Sequence, residues 1–286
     1  MTDVVAAPGL LEACWRNLVL GVVQGLTEFL PISSTAHLKA VPALVGWGDP
    51  GVSVTAVIQL GSIVAVIAYF RTDLLCVMRG IVRAVVRGQW REPDARLGFA
   101  MAFGTAPILI LGFLIKAFWP SYSTSAFRSI PSIAVVSILM ALLLALAEKL
   151  GPRLKTLPHV QGRDGLVVGL AQALAIIPGV SRSGSTLTAS LFDGWQRADA
   201  ARFSFLLGIP AITIAGLVEL KDAVADPNTG GVLPLLVGIV SAAVVSWLAI
   251  DWLIRYLQRH STWIFVAYRL VFGVALLAWW TTAAPN

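Results

Sequence analysis

The sequence has little charge and few of the residues that usually build metal centres. Only 13% of its 286 residues are Asp, Glu, Lys or Arg, about half the share in a typical soluble protein. Three histidines and two cysteines argue against a dedicated zinc site, and Cys14 and Cys76 lie too far apart to suggest metal-ligand spacing. No GxxxxGK[ST] stretch is present, which excludes a nucleotide-binding loop of the usual type. Hydrophobic residues make up 57% of the chain, and its mean hydropathy is +0.82, the composition of an integral membrane protein.

The positive charge is concentrated in the loops between apolar segments, and the formal total is +6. Because Lys and Arg accumulate in the cytoplasmic loops of membrane proteins, we interpret this charge as orientation and expect no nucleic-acid partner. The loops rich in Lys and Arg are residues 71–96, 149–163 and 255–259, and the loops poor in them are residues 119–130 and 221–231.

Six segments are apolar over the roughly 20 residues that a helix needs to cross the hydrocarbon layer. They are residues 52–70, 97–118, 130–148, 202–220, 232–254 and 262–282. Two further stretches, 10–46 and 164–193, are broken at Pro31 and at Pro178-Gly179, and their pieces are mostly too short to cross. Residues 10–29 alone could still form an ordinary span. We favour two re-entrant helix hairpins, since broken helices at membrane depth must be buried in protein or line a wet cavity.

The two broken stretches also resemble each other. "GVVQGLTEFLPIS" begins at Gly21 and "GLAQALAIIPGVS" begins at Gly169, so matching residues are 148 positions apart (169 minus 21). We expect a single membrane domain, residues 1–286, containing an internal repeat of 1–150 and 160–286. Each half would hold one hairpin and three spans, an odd number, so the second half must be inverted. The first hairpin would then open outward and the second inward, with both termini outside.

The first break carries polar side chains that are costly inside a membrane. An acid at the bilayer centre costs about 3 kcal/mol and indicates function by default, which singles out Glu28. Gln24 lies four residues earlier, on the same helix face. The alternative is a structural role, in which Glu28 pairs with an arginine to fix helix packing.

Three hydroxyl residues and a histidine follow Pro31. Ser33, Ser34 and Thr35 can cap a helix start, whose free N–H groups also bind phosphate oxygens. His37 lies three residues after Ser34 and could take a proton from Ser34 or from a water molecule. A purely structural, hydrogen-bonded His37 is an equal alternative.

The second break reads "PGVSRSGSTLT", residues 178–188, and centres on an arginine. A guanidinium in a membrane needs an anion, and the planar fork of Arg182 matches phosphate. Ser181, Ser183 and Thr186 supply hydroxyls, and Gly184 lets the backbone approach a ligand. Arg182 could also pair with Glu28 across the repeat interface, and we expect it to do both.

Together the two breaks predict a phosphate site with hydrolytic groups. One carboxylate with amide and phosphate oxygens would suit a divalent cation, Mg²⁺ or Ca²⁺, held by Glu28 and Gln24 with the substrate supplying further ligands.

These motifs resemble the two signatures of the bacterial undecaprenyl-pyrophosphate phosphatase family. "QGLTEFLPISSTAHL" (24–38) matches the first, an acid or glutamine followed after three residues by glutamate. "PGVSRSGST" (178–186) matches every fixed position of the second, Pro-Gly-x-Ser-Arg-Ser-x-x-Thr. "IQLGSI" (58–63) and "FSFLLGIPA" (203–211) also look like family segments, and the similarity covers nearly the whole chain.

The resemblance implies hydrolysis of undecaprenyl pyrophosphate to undecaprenyl phosphate and inorganic phosphate, which recycles the lipid carrier of cell-wall synthesis. It implies dependence on a divalent cation, the bacterial inner membrane, a pocket facing the periplasmic side, and six spans with two opposed re-entrant hairpins. It also assigns roles: Glu28 as the essential glutamate, Ser34 as nucleophile, His37 as its assistant and Arg182 as the phosphate-binding arginine. Gln24 stands where many members carry glutamate, so any mechanism that needs two carboxylates on the metal is in doubt.

Two alternatives remain open at this point. The attacking group is either Ser34 or a metal-activated water. A lipid-phosphate transporter or flippase would use the same architecture and the same arginine. The chain-length preference and the oligomeric state, with a homodimer among the alternatives, are also open.

Overall fold

A computed structural model of the protein describes residues 9–225 and 231–283. These residues form eleven α-helices joined by turns and short 3₁₀ segments, with no β-strand among them. The helices are α1 (Leu10–Thr27), α2 (Ser34–Leu44), α3 (Val52–Tyr69), α4 (Arg71–Arg87), α5 (Pro93–Phe118), α6 (Ile130–Leu150), α7 (Gly162–Ala173), α8 (Arg182–Phe192), α9 (Arg197–Ala225), α10 (Val232–Arg259) and α11 (Trp263–Ala283).

Within the described residues, six helices are long and apolar enough to cross a membrane, namely α3, α5, α6, α9, α10 and α11. They coincide with the six predicted spans, which confirms an all-α membrane protein with six candidate crossings. The longest helices run past the predicted apolar limits, as α9 does by starting at Arg197 and α10 by ending at Arg259. Backbone hydrogen bonding continues through charged turns, so an apolar run marks the membrane layer better than the helix end.

The remaining helices include the four pieces of the two broken stretches. The backbone leaves α1 after Thr27 and re-enters a helix at Ser34, and it leaves α7 after Ala173 and re-enters at Arg182. The helix α2 has 11 residues, so it spans only about 16 Å of a hydrocarbon layer roughly 30 Å thick. The helices α7 and α8 are equally short, with 12 and 11 residues.

Each broken stretch is fastened to a long helix through a glycine. The helix α1 packs along α10, and α7 packs along α5. A Cβ added to Gly21 would lie 2.3 Å from the carbonyl oxygen of Gly238, and one added to Gly169 would lie 2.3 Å from that of Gly104. No larger residue fits either contact. Gly21 and Gly169 are also the two glycines that match each other in the internal repeat.

The largest cluster of buried apolar side chains surrounds the breaks and includes residues of α3, α8, α9 and α10. Phe29, directly after Glu28, is fully buried and meets the ring of Phe205 edge-on at 4.9 Å. This packing holds the first break against α9. Large apolar side chains outside this core, such as Leu248 of α10 and Val271 of α11, are more than 60% exposed (63% and 69%), as expected of helices that face lipid.

Candidate active site

The two short helices α2 and α8 begin in the same unusual way. Their capping residues, Ser33 and Ser181, have φ values of 76° and 70°, a left-handed region that residues other than glycine rarely adopt. The Ser33 hydroxyl accepts the N–H of Ala36 at 3.4 Å, and the Ser181 hydroxyl accepts that of Gly184 at 3.1 Å. The sharp turn at each cap aims the next residue, Ser34 or Arg182, toward the space between the breaks.

The Glu28 carboxylate is the centre of the site. It is 4% exposed and accepts four hydrogen bonds, one from each of the helices α1, α2, α3 and α8. Oε1 accepts from Gln59 Nε2 at 2.8 Å and from Arg182 Nη2 at 3.2 Å. Oε2 accepts from Ser34 Oγ at 2.7 Å and from Gln24 Nε2 at 2.9 Å. The predicted pair between Glu28 and Arg182 is therefore present, and it joins the two breaks.

Arg182 is held in place by its neighbours on α9. Its Nη1 donates to the carbonyl oxygen of Ser204 at 3.1 Å, while its buried Nε makes no hydrogen bond within the described residues. A Cβ added to Gly208 would lie 1.9 Å from Nη1, so a glycine there gives the guanidinium its room. The guanidinium is thus fixed beside Glu28 at the edge of the cavity.

The serine and the histidine of the first break face different partners. The Ser34 hydroxyl donates to Glu28, whereas the buried His37 ring has its Nδ1 2.7 Å from the carbonyl oxygen of Ser33 and its Nε2 2.6 Å from the hydroxyl of Tyr268. The ring also stacks on Phe272, with centroids 4.2 Å apart. The proposed proton transfer from Ser34 to His37 stays a prediction. In this geometry, the group in hydrogen-bond contact with Ser34 is Glu28.

A cavity of about 530 Å³ opens between the breaks and the helices α3, α5 and α9. Its polar end holds Gln24, Glu28, Ser33, Ser34, Thr35, Gln59, Ser181 and Arg182. Its wall toward α5 and α9 is apolar, with Ile108, Leu109, Phe113, Ile212 and Val218 among its residues. A polar end beside an apolar wall suits an amphiphilic ligand with an anionic head.

Three predicted binding residues lie behind the cavity wall. Ser183 donates to the carbonyl oxygen of Leu30 at 2.9 Å, and Thr186 donates to that of Arg182 at 2.7 Å. Gly184 faces the guanidinium of Arg269. None of the three is among the residues that line the cavity. Their hydroxyls and backbone shape the second break, and direct contact with a substrate stays a prediction.

Sequence reasoning missed several polar residues of the cavity. Gln59 donates to Glu28 from α3, and Lys39, Asp49, Lys116, Arg128 and Glu219 line the cavity further from Glu28. Lys39 pairs with Asp49 at 3.2 Å, and Lys116 with Glu219 at 3.4 Å. Burial acts to raise the pKa of Asp49, but the N–H of Gly51 and the charge of Lys39 outweigh it and hold that pKa below its usual range. For Gln59, the signal was its place in "IQLGSI", a polar residue inside a predicted span.

The donor set fits a divalent cation only if the substrate takes part. Within the described residues, no group of three or more His, Cys, Asp or Glu side chains could hold a metal ion. Glu28, Gln24 and Ser34 do bring a carboxylate, an amide and a hydroxyl together at the end of the cavity. Hard cations such as Mg²⁺ take oxygen ligands and share them with phosphates, so this set suits a metal that arrives with a pyrophosphate.

Comparison with known proteins covers nearly the whole chain. Residues 17–275 match the model of a family described as Bacitracin resistance protein BacA. A protein named undecaprenyl-diphosphatase from Synechococcus sp. (strain WH7803) is 77% identical over 286 residues, 100% of both chains. One of the same name from Prochlorococcus marinus (strain MIT 9303) is 78% identical over 277 residues, 97% of this chain and 94% of that one. The matched regions contain both breaks and the cavity between them.

Proposed function

Because the chain belongs to the family of the bacitracin resistance protein BacA, we propose that it is an undecaprenyl-diphosphatase of the bacterial inner membrane. It hydrolyses undecaprenyl pyrophosphate to undecaprenyl phosphate and inorganic phosphate, and so recycles a lipid carrier for cell-wall synthesis. The observation that carries this proposal is the contact of Glu28 with both Ser34 and Arg182 at the polar end of the cavity.

The arginine and the helix starts neutralise the phosphate charge. Arg182 lines the cavity, and Ser33 and Ser181 place the N-termini of α2 and α8 at the same end. Phosphoryl transfer depends chiefly on such positioning and electrostatic stabilisation. The pyrophosphate binds at this end, while the prenyl tail runs along the apolar wall toward lipid.

Ser34 attacks the terminal phosphorus, and the bond from that phosphorus to the bridging oxygen breaks. The proton of the Ser34 hydroxyl passes to Glu28, which already accepts a hydrogen bond from that hydroxyl. Water then releases inorganic phosphate from the serine, and the lipid leaves as the monophosphate. The alternative is direct attack by water at the same phosphorus, with Glu28 and Ser34 orienting it.

A divalent cation, Mg²⁺ or Ca²⁺, is part of this proposal. Glu28 and Gln24 would hold it together with phosphate oxygens, where it would supply positive charge to the transferred phosphoryl group. Since Gln24 is uncharged, the protein brings one carboxylate to the ion at this point.

The proposed topology places two re-entrant hairpins, α1–α2 and α7–α8, in an inverted repeat. Three observations support it: the short lengths of α2, α7 and α8, the matched contacts of Gly21 and Gly169, and the matched caps at Ser33 and Ser181. The cavity residues Lys116, Arg128 and Glu219 lie on the side of the Lys- and Arg-poor loops, which supports a site that opens to the periplasm. The same orientation would place both termini outside.

The test is phosphate release by the purified protein in detergent micelles. We expect release from undecaprenyl pyrophosphate, loss on adding a chelator, and recovery with Mg²⁺ or Ca²⁺. Glu28→Gln, which keeps the shape of the side chain, serves as the inactive control. Binding of the lipid without any hydrolysis would instead support a lipid-phosphate transporter.

A further inference from the structure

One buried arginine takes no part in the mechanism described above. Arg269, two turns into α11, is 0% exposed. Within the described residues it makes no ion pair with a carboxylate, and its contacts are all with backbone carbonyl oxygens. A charge buried in a membrane protein without a counter-ion is costly, so its presence needs a reason.

The carbonyl oxygens that Arg269 contacts come from both breaks. Nη1 donates to Pro31 of the first break at 3.1 Å and to Val180 of the second at 3.2 Å. Nη2 donates to Gly179 at 2.7 Å and to Val180 at 3.1 Å, and Nε donates to Ser137 of α6 at 3.3 Å. One rigid guanidinium thus connects the turn before Ser34, the turn before Arg182 and a spanning helix.

The charge balance of the centre changes when Arg269 is included. Glu28 and Arg182 neutralise each other, whereas Arg269 adds a positive charge that no carboxylate of the described residues offsets. A pyrophosphate brought between the breaks supplies the missing negative charge. The attraction between Arg269 and the pyrophosphate is strong because the surroundings are buried and weakly screened.

We propose that Arg269 is a positioning residue for phosphate hydrolysis, which fixes the two breaks relative to each other and makes the cavity attractive to a polyanion. This inference rests on the proposed function. Lysine keeps the charge of Arg269 but has a single nitrogen, which cannot bridge carbonyl oxygens of three segments. Methionine keeps the bulk and removes both the charge and the bridge.

The experiment compares Arg269→Lys and Arg269→Met with Leu276→Ala, which removes a buried side chain of the same helix that packs in a cluster with Ala40 and Ala134. Each variant is assayed for thermal unfolding in detergent and for kcat and KM on undecaprenyl pyrophosphate. We expect Arg269→Lys to lower kcat about 10²-fold with little change in KM, since a misplacement of about 1 Å costs that much. Arg269→Met should also raise KM. Leu276→Ala should lower the midpoint of unfolding and leave kcat within about twofold.

A second pair of variants keeps the proposal testable if Arg269 variants do not fold. A Cβ at Gly184 would lie 2.7 Å from Arg269 Nη1, so Gly184→Ala pushes the guanidinium without removing it. Its matched control on α8 is Ser190→Ala, which removes a buried hydroxyl without a hydrogen-bond partner among residues 9–225 and 231–283 and should be harmless. We expect a loss of kcat in Gly184→Ala and none in Ser190→Ala.

A double variant separates positioning from plain stability. If Arg269 acts through Arg182, Arg269→Lys should add little to the loss already caused by Arg182→Ala, because residues that act as a unit are not additive. Full additivity, or a kcat of Arg269→Lys within about twofold of wild type, would overturn the inference. Absence of hydrolysis in the wild-type protein would instead refute the proposed function.

Discussion

The first break places Ser34 directly after a serine cap, and the second places Arg182 directly after an equivalent one. The caps have nearly the same φ, 76° and 70°, and both accept a backbone N–H three residues on. The side chains around them differ in chemistry. The first break contributes a carboxylate and a hydroxyl, whereas the second contributes a guanidinium, with Ile176 at the position that matches Glu28.

The difference shows that one backbone frame can serve two chemical tasks. A helix start with a left-handed cap aims the following side chain into the cavity, whatever that side chain is. In the proposed mechanism the aimed residue of the first break is a nucleophile next to its base, and that of the second is an anion ligand. A site assembled from both breaks needs the side chains of each, and the following predictions test whether the two breaks have these different roles.

The largest effect is expected at the aimed residue of the first break. Ser34→Ala should reduce kcat by at least about 10³-fold if the serine forms the covalent intermediate, since the other residues alone supply little of that chemistry. Trapping a phosphoserine in the wild-type protein would establish the intermediate. Undiminished turnover in Ser34→Ala would assign the attack to water.

The charged pair that joins the breaks should come next. Arg182→Lys and Glu28→Gln should each reduce kcat/KM about 10²- to 10³-fold, because a point charge does not replace the guanidinium fork and an amide does not take a proton. Circular dichroism should show that both variants fold. Wild-type rates in either variant would refute the site.

Two glycines on spanning helices, Gly208 of α9 and Gly61 of α3, test the placement of Arg182 without touching a reacting group. Gly208→Ala should displace Arg182 and lower kcat up to about 10²-fold, since its Cβ would lie 1.9 Å from Nη1. A Cβ added to Gly61 would instead lie 2.1 Å from the carbonyl oxygen of Ile239. We therefore expect Gly61→Ala to lower the midpoint of thermal unfolding and to change the kcat of the folded protein less than Gly208→Ala does. An equal pattern in the two variants would contradict the placement of Arg182.

His37 tests whether the first break uses one base or two. We expect His37→Gln to lower kcat roughly tenfold, because it loses hydrogen bonds that support Ser33 while the contact of Ser34 with Glu28 is kept. Tyr268→Phe, which removes the hydroxyl near Nε2, is the matched control. A loss in His37→Gln as severe as in Ser34→Ala would make the histidine the base.

The smallest effect is expected at the caps themselves. Ser33→Gly and Ser181→Gly should each change the free energy of unfolding by only a few tenths of a kcal/mol, because glycine accepts positive φ and costs little at a cap. Ser33→Ala and Ser181→Ala should each destabilise by about 1–2 kcal/mol, losing the cap in a backbone that alanine resists. The two breaks should respond alike, and unequal responses would show that their backbones are not equivalent.

Sequence reasoning located the six candidate spans and the pair of Glu28 and Arg182, because each follows from a local signal. Long apolar runs mark membrane helices, and charges inside such runs need partners. The expected interface between the two halves of the repeat further suggested that the two residues meet. Local patterns of this kind can be recognised without knowing which helices are neighbours.

The contacts of Gln59, Arg269 and His37 could not be read in the same way. Gln59 and Arg269 lie on α3 and α11, far along the chain, and reach the site only through helix packing. The spacing of Ser34 and His37 suggested contact on one helical turn, but the left-handed cap at Ser33 turns the serine toward Glu28. Such rotations at a helix start depend on backbone geometry that the spacing does not encode.

Under the proposed mechanism, the four hydrogen bonds to Glu28 make each turnover an exchange of partners. An incoming phosphate takes donors such as Arg182 away from the carboxylate. When the reaction ends, the carboxylate competes for those same donors and helps to expel inorganic phosphate. Product inhibition should accordingly be weak in the wild-type protein and stronger wherever this internal competitor has been removed.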